Sequence, residues 1–158
     1  MQKLSVLSAL FTMALFTACA QKGQVYQTGD LPPVITDPAK YNKLTPDEER
    51  IILHEGTERA FTGAYFNTKK EGIYICKQCN NPLFRSQDKF DSGTGWPSFD
   101  DFIPGAVKEV PDADGSRVEI ECANCGGHLG HVFFGGGFTG KKTRPCAHSP
   151  SPTIVQGD

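Results

Sequence analysis

The chain has 158 residues and a formal net charge of -2 at pH 7, with 38% hydrophobic and 22% charged residues. This length is sufficient for one domain of ordinary size with a buried core. A charge this close to neutral lacks the basic excess with which proteins bind phosphate backbones, so no nucleic-acid partner is expected.

Residues 1–18 have the features of an export signal. Lys3 supplies a positive charge, and the apolar stretch of about a dozen residues from Leu4 to Phe16 is too short to span a bilayer. Small residues come directly before Cys19, as in a bacterial lipoprotein signal, so we expect Cys19 to be lipidated and to become the mature N-terminus. The alternative is an ordinary cleaved signal that leaves Cys19 as a free thiol. The lipoprotein interpretation predicts a protein anchored to a membrane of the bacterial cell envelope.

Residues 19–44 are predicted to be the lipid anchor and a flexible tether, because they are polar, contain three prolines and show little apolar periodicity. Residues 45–158 form the expected folded domain. It begins with a helix, since Thr45 is a suitable N-cap, Pro46 suits the first helical position, and Glu48 completes a capping box with Thr45.

After this helix the sequence changes to short runs of β-branched and aromatic residues separated by glycine and proline. Such runs predict strands rather than helices. We therefore predict a mainly β fold after a helical start, with strands at residues 72–75, 108–110, 118–121 and 131–134.

Two Cys-x-x-Cys pairs each follow one of these predicted strands. Together they offer four thiolates, which form the ligand set of a tetrahedral structural zinc and leave no open coordination position. We therefore expect one structural Zn²⁺ per chain, joining two β segments. The alternatives are disulfide bonds, which export permits, and redox-active Cys-x-x-Cys pairs. The expected ligands are Cys76, Cys79, Cys122 and Cys125.

Cys146 is the thiol that remains when zinc and lipid have taken the other cysteines. Lys141, Lys142 and Arg144 precede it, and nearby cations lower the pKa of a thiol. Cys146 is therefore a candidate nucleophile.

His128 and His131 lie just after the second cysteine pair. In an extended strand a spacing of three places two side chains on opposite faces, but Gly127 and Gly130 allow a bend that lets both converge. The competing interpretations are metal ligation and two ordinary polar residues in a β turn.

Trp96 is the only tryptophan, and it lies between glycine turns and a proline. An aromatic residue in such a frame either joins the core or forms the wall of a rigid pocket for a methyl or thioether group.

The longest motifs of the chain are Cys76–Cys79, Asn81–Ser86, Lys89–Phe99, Cys122–Cys125 and His128–Phe133, preceded by residues 56–65. Together they resemble the B-type methionine sulfoxide reductases, which are specific for the R epimer. The likeness runs in register over about residues 45–149. It implies a mainly β fold of two antiparallel β-sheets, of the sandwich- or barrel-like β-tent type, with short N-terminal helices and a structural zinc.

The resemblance also implies site residues. Cys146 matches the nucleophile that attacks the sulfur of methionine-R-sulfoxide in oxidised proteins and becomes a sulfenic acid. The histidine pair at positions 128 and 131 matches the groups that orient or protonate the sulfoxide oxygen. Trp96 matches the wall that holds the ε-methyl group of the substrate, and Phe99 and Phe133 of the same motifs are further candidate substrate contacts.

The chain departs from the family pattern at Thr94, where many relatives carry a resolving cysteine. With the other cysteines assigned to zinc and lipid, we expect one-cysteine chemistry. A thioredoxin-like protein or a small thiol would then reduce the sulfenic acid.

A second departure lies after the nucleophile, where His148 replaces an asparagine of the relatives and Pro150 and Pro152 follow. His148 can take over as a hydrogen-bond donor, so we include it among the catalytic candidates. The two prolines predict an edge or loop segment, a loosely held Cys146 and reduced activity. This leaves open a catalytically weakened, zinc-stabilised envelope domain that binds oxidised or apolar peptides. A disulfide oxidoreductase that uses the Cys-x-x-Cys pairs is the third possibility.

Overall fold

The computed structural model describes residues 31–112, 115–135 and 143–156. The predicted signal of residues 1–18, the Cys19 attachment point, and Lys141 and Lys142 lie outside these ranges. Inside them, no helix combines the length and the apolar character that crossing a membrane requires.

The described elements are mainly strands, as predicted. They include one α-helix, α1 (Pro46–Ile52), and short 3₁₀ turns at Pro38–Lys40 and Ser86–Asp88. The strands are β1 (Ile73–Cys76), β2 (Pro82–Arg85), β3 (Lys89–Phe90), β4 (Ser98–Phe99), β5 (Val107–Pro111), β6 (Val118–Cys122), β7 (His128–Phe134), β8 (Thr143–Ala147) and β9 (Pro152–Val155).

Helix α1 begins with the predicted capping box. The Thr45 hydroxyl accepts a hydrogen bond from the Glu48 amide at 3.4 Å, and the Glu48 carboxylate accepts one from the Thr45 amide at 2.8 Å. This exchange satisfies two amides that a helix start leaves without partners. The helix then buries Ile51 and Ile52 against the domain, which fixes it as a short covering element.

Two antiparallel sheets make up the body, which confirms the predicted fold class. The smaller sheet has the strand order β2-β1-β9, and the larger has the order β3-β4-β8-β7-β6-β5. Strand β1 is thus central in the smaller sheet, and β8 lies between β4 and β7 in the larger one. Because β8 lies between these two strands, Cys146 of β8 pairs with Ser98 of β4 on one side and with His131 of β7 on the other.

Aromatic side chains from both sheets form the centre of the core. Phe84 of β2 and Phe99 of β4 stack with their ring centroids 4.3 Å apart, and Tyr74 of β1 meets Phe99 edge-on at 5.1 Å. All three are fully buried, and burial of each such side chain stabilises the fold by about 1.5–3 kcal/mol. These contacts join the two sheets across the core.

The prolines near the C-terminus occupy positions where a missing N–H costs little. Pro152 is the first residue of β9, an edge strand, and Pro150 lies in a turn, so the predicted edge or loop is confirmed. Pro145 lies inside β8, where successive amides face alternate neighbours. The Ala147 amide donates to the Pro97 carbonyl at 3.0 Å, so the Pro145 nitrogen, two residues earlier, also faces away from β7 and removes no bond from the β7 ladder.

The described part of the predicted tether lies against the domain. The Ile35 amide donates to the Cys79 carbonyl at 2.8 Å, and the Asn42 amide donates to the Gln78 carbonyl at 2.9 Å. The Asn124 side chain donates to the Ile35 carbonyl at 2.8 Å, so this segment contacts both cysteine turns. Residues 35–42 are therefore part of the folded body rather than a free linker.

Candidate active site and metal centre

The four cysteines of the two pairs converge at one point, as predicted. Cys76 Sγ lies 3.6 Å from Cys125 Sγ, and Cys79 Sγ lies 3.6 Å from Cys122 Sγ. All four sulfurs lie within 4.8 Å of one another, and all four residues are free cysteines. We call this group the cysteine quartet.

The two turns that carry the quartet have the same backbone geometry. In the first, the Cys76 carbonyl accepts from the Asn80 amide at 2.9 Å; in the second, the Cys122 carbonyl accepts from the Gly126 amide at 2.8 Å. Asn80 and Gly126 have φ angles of 62° and 73°, which glycine and asparagine adopt most readily. The residue after each pair therefore lets the chain turn back so that both sulfurs point the same way.

The quartet fits a tetrahedral zinc. Zn–S bonds of about 2.3 Å place neighbouring sulfurs about 3.8 Å apart, close to the observed 3.6 Å. A disulfide requires about 2.05 Å, so the disulfide alternative does not fit. The Asn81 side-chain amide donates to Cys122 Sγ at 3.6 Å, an outer contact that suits a metal-bound thiolate.

Cys146 is the predicted nucleophile, and the sheet order places it between β4 and β7. Its Sγ lies 3.1 Å from the Ser98 hydroxyl and 2.9 Å from Nη1 of Arg144, which donates to it. The residue is only 6% exposed, yet it lines a cavity of about 70 Å³. Arg144 thus donates to a sulfur that a small ligand can reach, and the Ser98 hydroxyl lies within hydrogen-bond distance of the same sulfur.

The expectation that cations lower the pKa of Cys146 is wrong in its net direction. Burial raises the pKa of this thiol and outweighs the hydrogen bonds from Ser98 and Thr94 and the charge and hydrogen bond of Arg144, which lower it. The sequence showed the neighbouring charge but not the burial. Donors to the sulfur therefore limit the cost of ionisation without removing it.

A chain of hydroxyl groups continues from Cys146 into the loop before β4. The Ser92 hydroxyl lies 2.7 Å from that of Thr94 and 2.7 Å from that of Ser98. The Ser98 hydroxyl in turn lies 3.1 Å from Cys146 Sγ, so Ser92 and Ser98 link Thr94 to this thiol. Thr94, which stands where many relatives carry a resolving cysteine, therefore places a hydroxyl at the end of a hydrogen-bonded chain that leads to Cys146.

Three histidines gather beside this thiol. The ring of His128 lies 5.5 Å, centroid to centroid, from both His131 and His148. Gly130 makes this possible, because its φ of 146° departs from a regular strand and lets His128 and His131 converge. We call these three residues the histidine cluster.

Two carboxylates outside the cluster hold two of its rings. Nδ1 of His128 hydrogen-bonds to the buried Glu119, and Nε2 of His131 lies 3.3 Å from Asp112. Burial, together with the charge of Arg117, lowers the pKa of His131 although Asp112 raises it. Burial, with the charges of His128, His131 and Arg50, lowers the pKa of His148 to about 4. His148 is therefore neutral at pH 7.

The predicted aromatic contacts divide into two groups. Trp96 and Phe133 line the 70 Å³ cavity together with Cys146, His131 and His148. The indole Nε1 of Trp96 donates to the Glu58 carbonyl at 3.0 Å, which fixes the ring. Phe99 does not reach the cavity, and its predicted role as a substrate contact is corrected here. It is fully buried in the core, because its position on β4 points it toward Phe84 rather than toward the cleft.

Glu58 is a buried residue that the sequence pattern did not identify as part of the site. Its Oε2 accepts a hydrogen bond from the Ser149 amide at 2.9 Å, and burial raises the pKa of this carboxyl. The Ser151 amide donates to the His148 carbonyl at 3.0 Å, and the Ser151 carbonyl accepts from the Lys77 amide at 2.9 Å. The segment after Cys146 is thus buried and bonded on both sides, contrary to the expectation that it is loosely held.

Glu119 and Asp112 were also missed. Glu119 lies in a stretch that alternates apolar and charged residues, a pattern that favours a solvent-facing carboxylate, whereas the structure buries it beside His128. Asp112 lies in the connection after β5, and no sequence pattern pointed to its contact with His131.

The sequence of this chain is similar to a known domain family and to several named proteins. The SelR domain family matches residues 44–155. The peptide methionine sulfoxide reductase B3 of Arabidopsis thaliana is 52% identical over 109 residues, which cover 68% of this chain and 62% of that protein. The chloroplastic peptide methionine sulfoxide reductase B2 of the same plant is also 52% identical over 109 residues, covering 68% and 54%. Peptide methionine sulfoxide reductase B5 of Oryza sativa subsp. japonica is 51% identical over 109 residues, covering 68% and 80%. The chain thus spans less than two thirds of the length of the two Arabidopsis relatives.

Proposed function

The chain belongs to the SelR domain family, and we propose that it reduces methionine-R-sulfoxide in oxidised proteins to methionine. One observation carries the proposal. The Cys146 thiol, with donors directed at its sulfur, shares a small cavity with two histidines and two aromatic rings. Such a cavity offers an apolar wall for the methyl group, donors for the sulfoxide oxygen and a nucleophile for the sulfur.

The chemistry follows from these groups. A sulfoxide sulfur becomes electrophilic when its oxygen accepts a hydrogen bond or a proton. His131 and His148 are the imidazoles that line the cavity: His148 can donate from a ring nitrogen that has no other partner among the described residues, and His131 can donate when it is protonated and held by Asp112. Cys146 attacks the sulfur as a thiolate and forms a sulfur–sulfur bond, while the sulfoxide oxygen takes up a proton. The sulfur–oxygen and sulfur–sulfur bonds then break as the hydroxyl passes to the Cys146 sulfur, which leaves the thioether free and Cys146 as a sulfenic acid. The sulfoxide is reduced to a thioether while the thiol is oxidised by two electrons. Glu119 and Asp112 act as positioning residues, because they contact the imidazoles but do not line the cavity.

Regeneration requires a thiol from outside the chain. The other described cysteines belong to the quartet, and Thr94 presents a hydroxyl where a resolving thiol would be needed. Two equivalents of an external thiol, from a small molecule or a thioredoxin-like protein, return Cys146 to its reduced form and release water.

Zinc is the metal we propose for the quartet. Cys76, Cys79, Cys122 and Cys125 would hold it with a closed shell, so its contribution is structural. It would fasten the end of β1 to the end of β6 and thereby join the two sheets.

We further propose that the protein is exported and anchored to a bacterial membrane through lipidated Cys19. The support is the sequence of residues 1–19. A repair enzyme placed there would meet methionine residues oxidised in the cell envelope.

The alternative of a weakened domain that only binds oxidised or apolar peptides depended on a loosely held Cys146. The Ser149 amide donates to the Glu58 carboxylate and the Lys77 amide donates to the Ser151 carbonyl, and these bonds to the segment after Cys146 remove that argument.

A stereospecific assay tests the proposed function. Purified protein is incubated with a reducing thiol and either the R or the S epimer of a peptide methionine sulfoxide. We expect consumption of the R epimer alone, and none in the Cys146→Ser variant. Equal inactivity of both proteins toward both epimers would support the binding domain instead. Activity that persists in Cys146→Ser would exclude Cys146 as the nucleophile.

A further inference from the structure

The histidine cluster brings together three of the four histidines in the chain. One ring nitrogen from each of His128, His131 and His148 lies within 4.8 Å of the others. The reduction proposed above needs donors to a single oxygen, and three imidazoles are more than that task requires. Their number and closeness call for a separate explanation.

Two of these rings carry buried nitrogens without a partner. Nε2 of His128 and both ring nitrogens of His148 have no hydrogen bond among the described residues. The exposed fractions of His128 and His148 are only 3% and 6%. Buried polar atoms of this kind cost free energy unless a ligand or ordered water binds them, so these atoms indicate a missing occupant.

Two of the other ring nitrogens have the carboxylate partners that are typical of metal-ligating histidines. Glu119 holds Nδ1 of His128, and Asp112 lies 3.3 Å from Nε2 of His131. A carboxylate on one nitrogen fixes the tautomer so that the other nitrogen presents its lone pair, and it raises the basicity of that ligand. The two acidic groups also balance the charge of a cation at the cluster.

The dimensions allow a tetrahedral ion after small ring movements. Zn–N bonds of about 2.0–2.1 Å place ligand nitrogens about 3.4 Å apart. Nitrogens within 4.8 Å of one another reach that spacing when each ring moves by less than about 1 Å. Three imidazoles suit zinc and other borderline divalent ions, whereas magnesium and calcium prefer oxygen ligands.

We propose that His128, His131 and His148 form a second metal site for a borderline divalent cation such as Zn²⁺, distinct from the cysteine quartet. Three protein ligands leave the fourth position for water or another ligand, as in catalytic rather than structural zinc sites. The bound ion occupies the histidine nitrogens that would otherwise face the sulfoxide oxygen. It follows, if the proposed function holds, that the metal and the sulfoxide substrate compete for this site.

Equilibrium dialysis against Zn²⁺ tests the site without reference to activity. The protein is first loaded at the quartet, and total zinc per chain is then measured in excess zinc. We expect two equivalents for the native chain and one for His148→Asn, which removes the third ligand. His54→Asn is the matched control, since His54 is exposed and outside the cluster, and it should bind two. Cys146→Ser should also bind two, because the ligands are histidines.

A circular dichroism spectrum like that of the native chain shows that His148→Asn is folded. One equivalent in the native chain, or two in His148→Asn, would overturn the proposed site. Competition is measured separately as the apparent KM for the R-sulfoxide, which zinc should raise in the native chain and not in His148→Asn. A second equivalent that leaves KM unchanged would overturn the competition. If the chain reduces no sulfoxide, the dialysis result still decides the metal site.

Discussion

Gly130 sets the distance between β7, which carries His128 and His131, and β8, which carries Cys146. A Cβ at this position would lie 2.1 Å from the Cys146 carbonyl oxygen and 3.1 Å from the Ala147 Cα. Both are backbone atoms, which cannot rotate away as a side chain would. In Gly130→Ala, β7 and β8 must therefore separate by about 1 Å at the residues that hold His131 and Cys146.

The expected cost has two parts. A φ of 146° is unfavourable for any residue with a Cβ, at about 1–3 kcal/mol. Overpacking against fixed atoms adds about 1–3 kcal/mol. We therefore expect Gly130→Ala to lower the free energy of unfolding by about 2–6 kcal/mol, a large part of the stability of a typical domain.

Gly105→Ala is the control that isolates the clash. Gly105 also has a positive φ, of 76°, but a Cβ added there would meet no atom within 4 Å beyond its chain neighbours. Its substitution should cost only the backbone term, about 1–2 kcal/mol.

Urea unfolding of the zinc-loaded proteins, followed through the fluorescence of Trp96, measures both variants. The reductase assay, run where both remain folded, should show a further loss for Gly130→Ala alone. Equal free energies of unfolding for the two variants would refute the reasoning, because the approach of β7 to β8 would then not depend on the missing Cβ.

Three further predictions follow from the site. Because burial raises the pKa of Cys146 above the ordinary thiol value of 9.0, its alkylation by iodoacetamide should accelerate mainly at more alkaline pH. Ser98→Ala removes a hydrogen-bond partner of the thiolate and should raise the pH at which alkylation reaches half its maximal rate. A half-maximal pH below the ordinary thiol pKa in the native chain would contradict this prediction. Thr94→Cys should convert the sulfenic acid into an intramolecular disulfide to Cys146, detectable by mass spectrometry after one turnover; a persistent sulfenic acid would show that position 94 cannot reach the nucleophile. Cys122→Ser should abolish zinc binding at the quartet and lower the melting temperature, since structural zinc contributes folding free energy, and an unchanged melting temperature after metal loss would contradict the structural role.

Features governed by local rules could be predicted from the sequence. The capping box at Thr45 and Glu48 depends only on residues three apart, and the structure forms it. The strand runs before each cysteine pair predicted β1 and β6, and the residue after each pair turned out to have the positive φ that such a turn requires. The two cysteine pairs are brought together by the fold and not by local sequence. Their meeting could still be predicted, because one tetrahedral zinc requires all four sulfurs at one point.

Features set by distant contacts could not be predicted. Burial of Cys146 depends on β4 and β7 packing on either side of β8, so its neighbouring cations gave the wrong direction for its pKa. Glu58 reaches Ser149 across 91 positions of sequence, and no local pattern encodes that bond. Phe99 lies in a motif that resembles a substrate site, yet alternation along β4 turns it into the core.

The most direct test of the account is a single turnover without any reductant. The protein is mixed with one equivalent of the R-sulfoxide, and dimedone then traps any sulfenic acid for mass spectrometry. We expect one thiol lost per chain and a dimedone adduct on Cys146, with the quartet thiols unchanged. An intramolecular disulfide that includes Cys146, or methionine formed while Cys146 stays reduced, would contradict it.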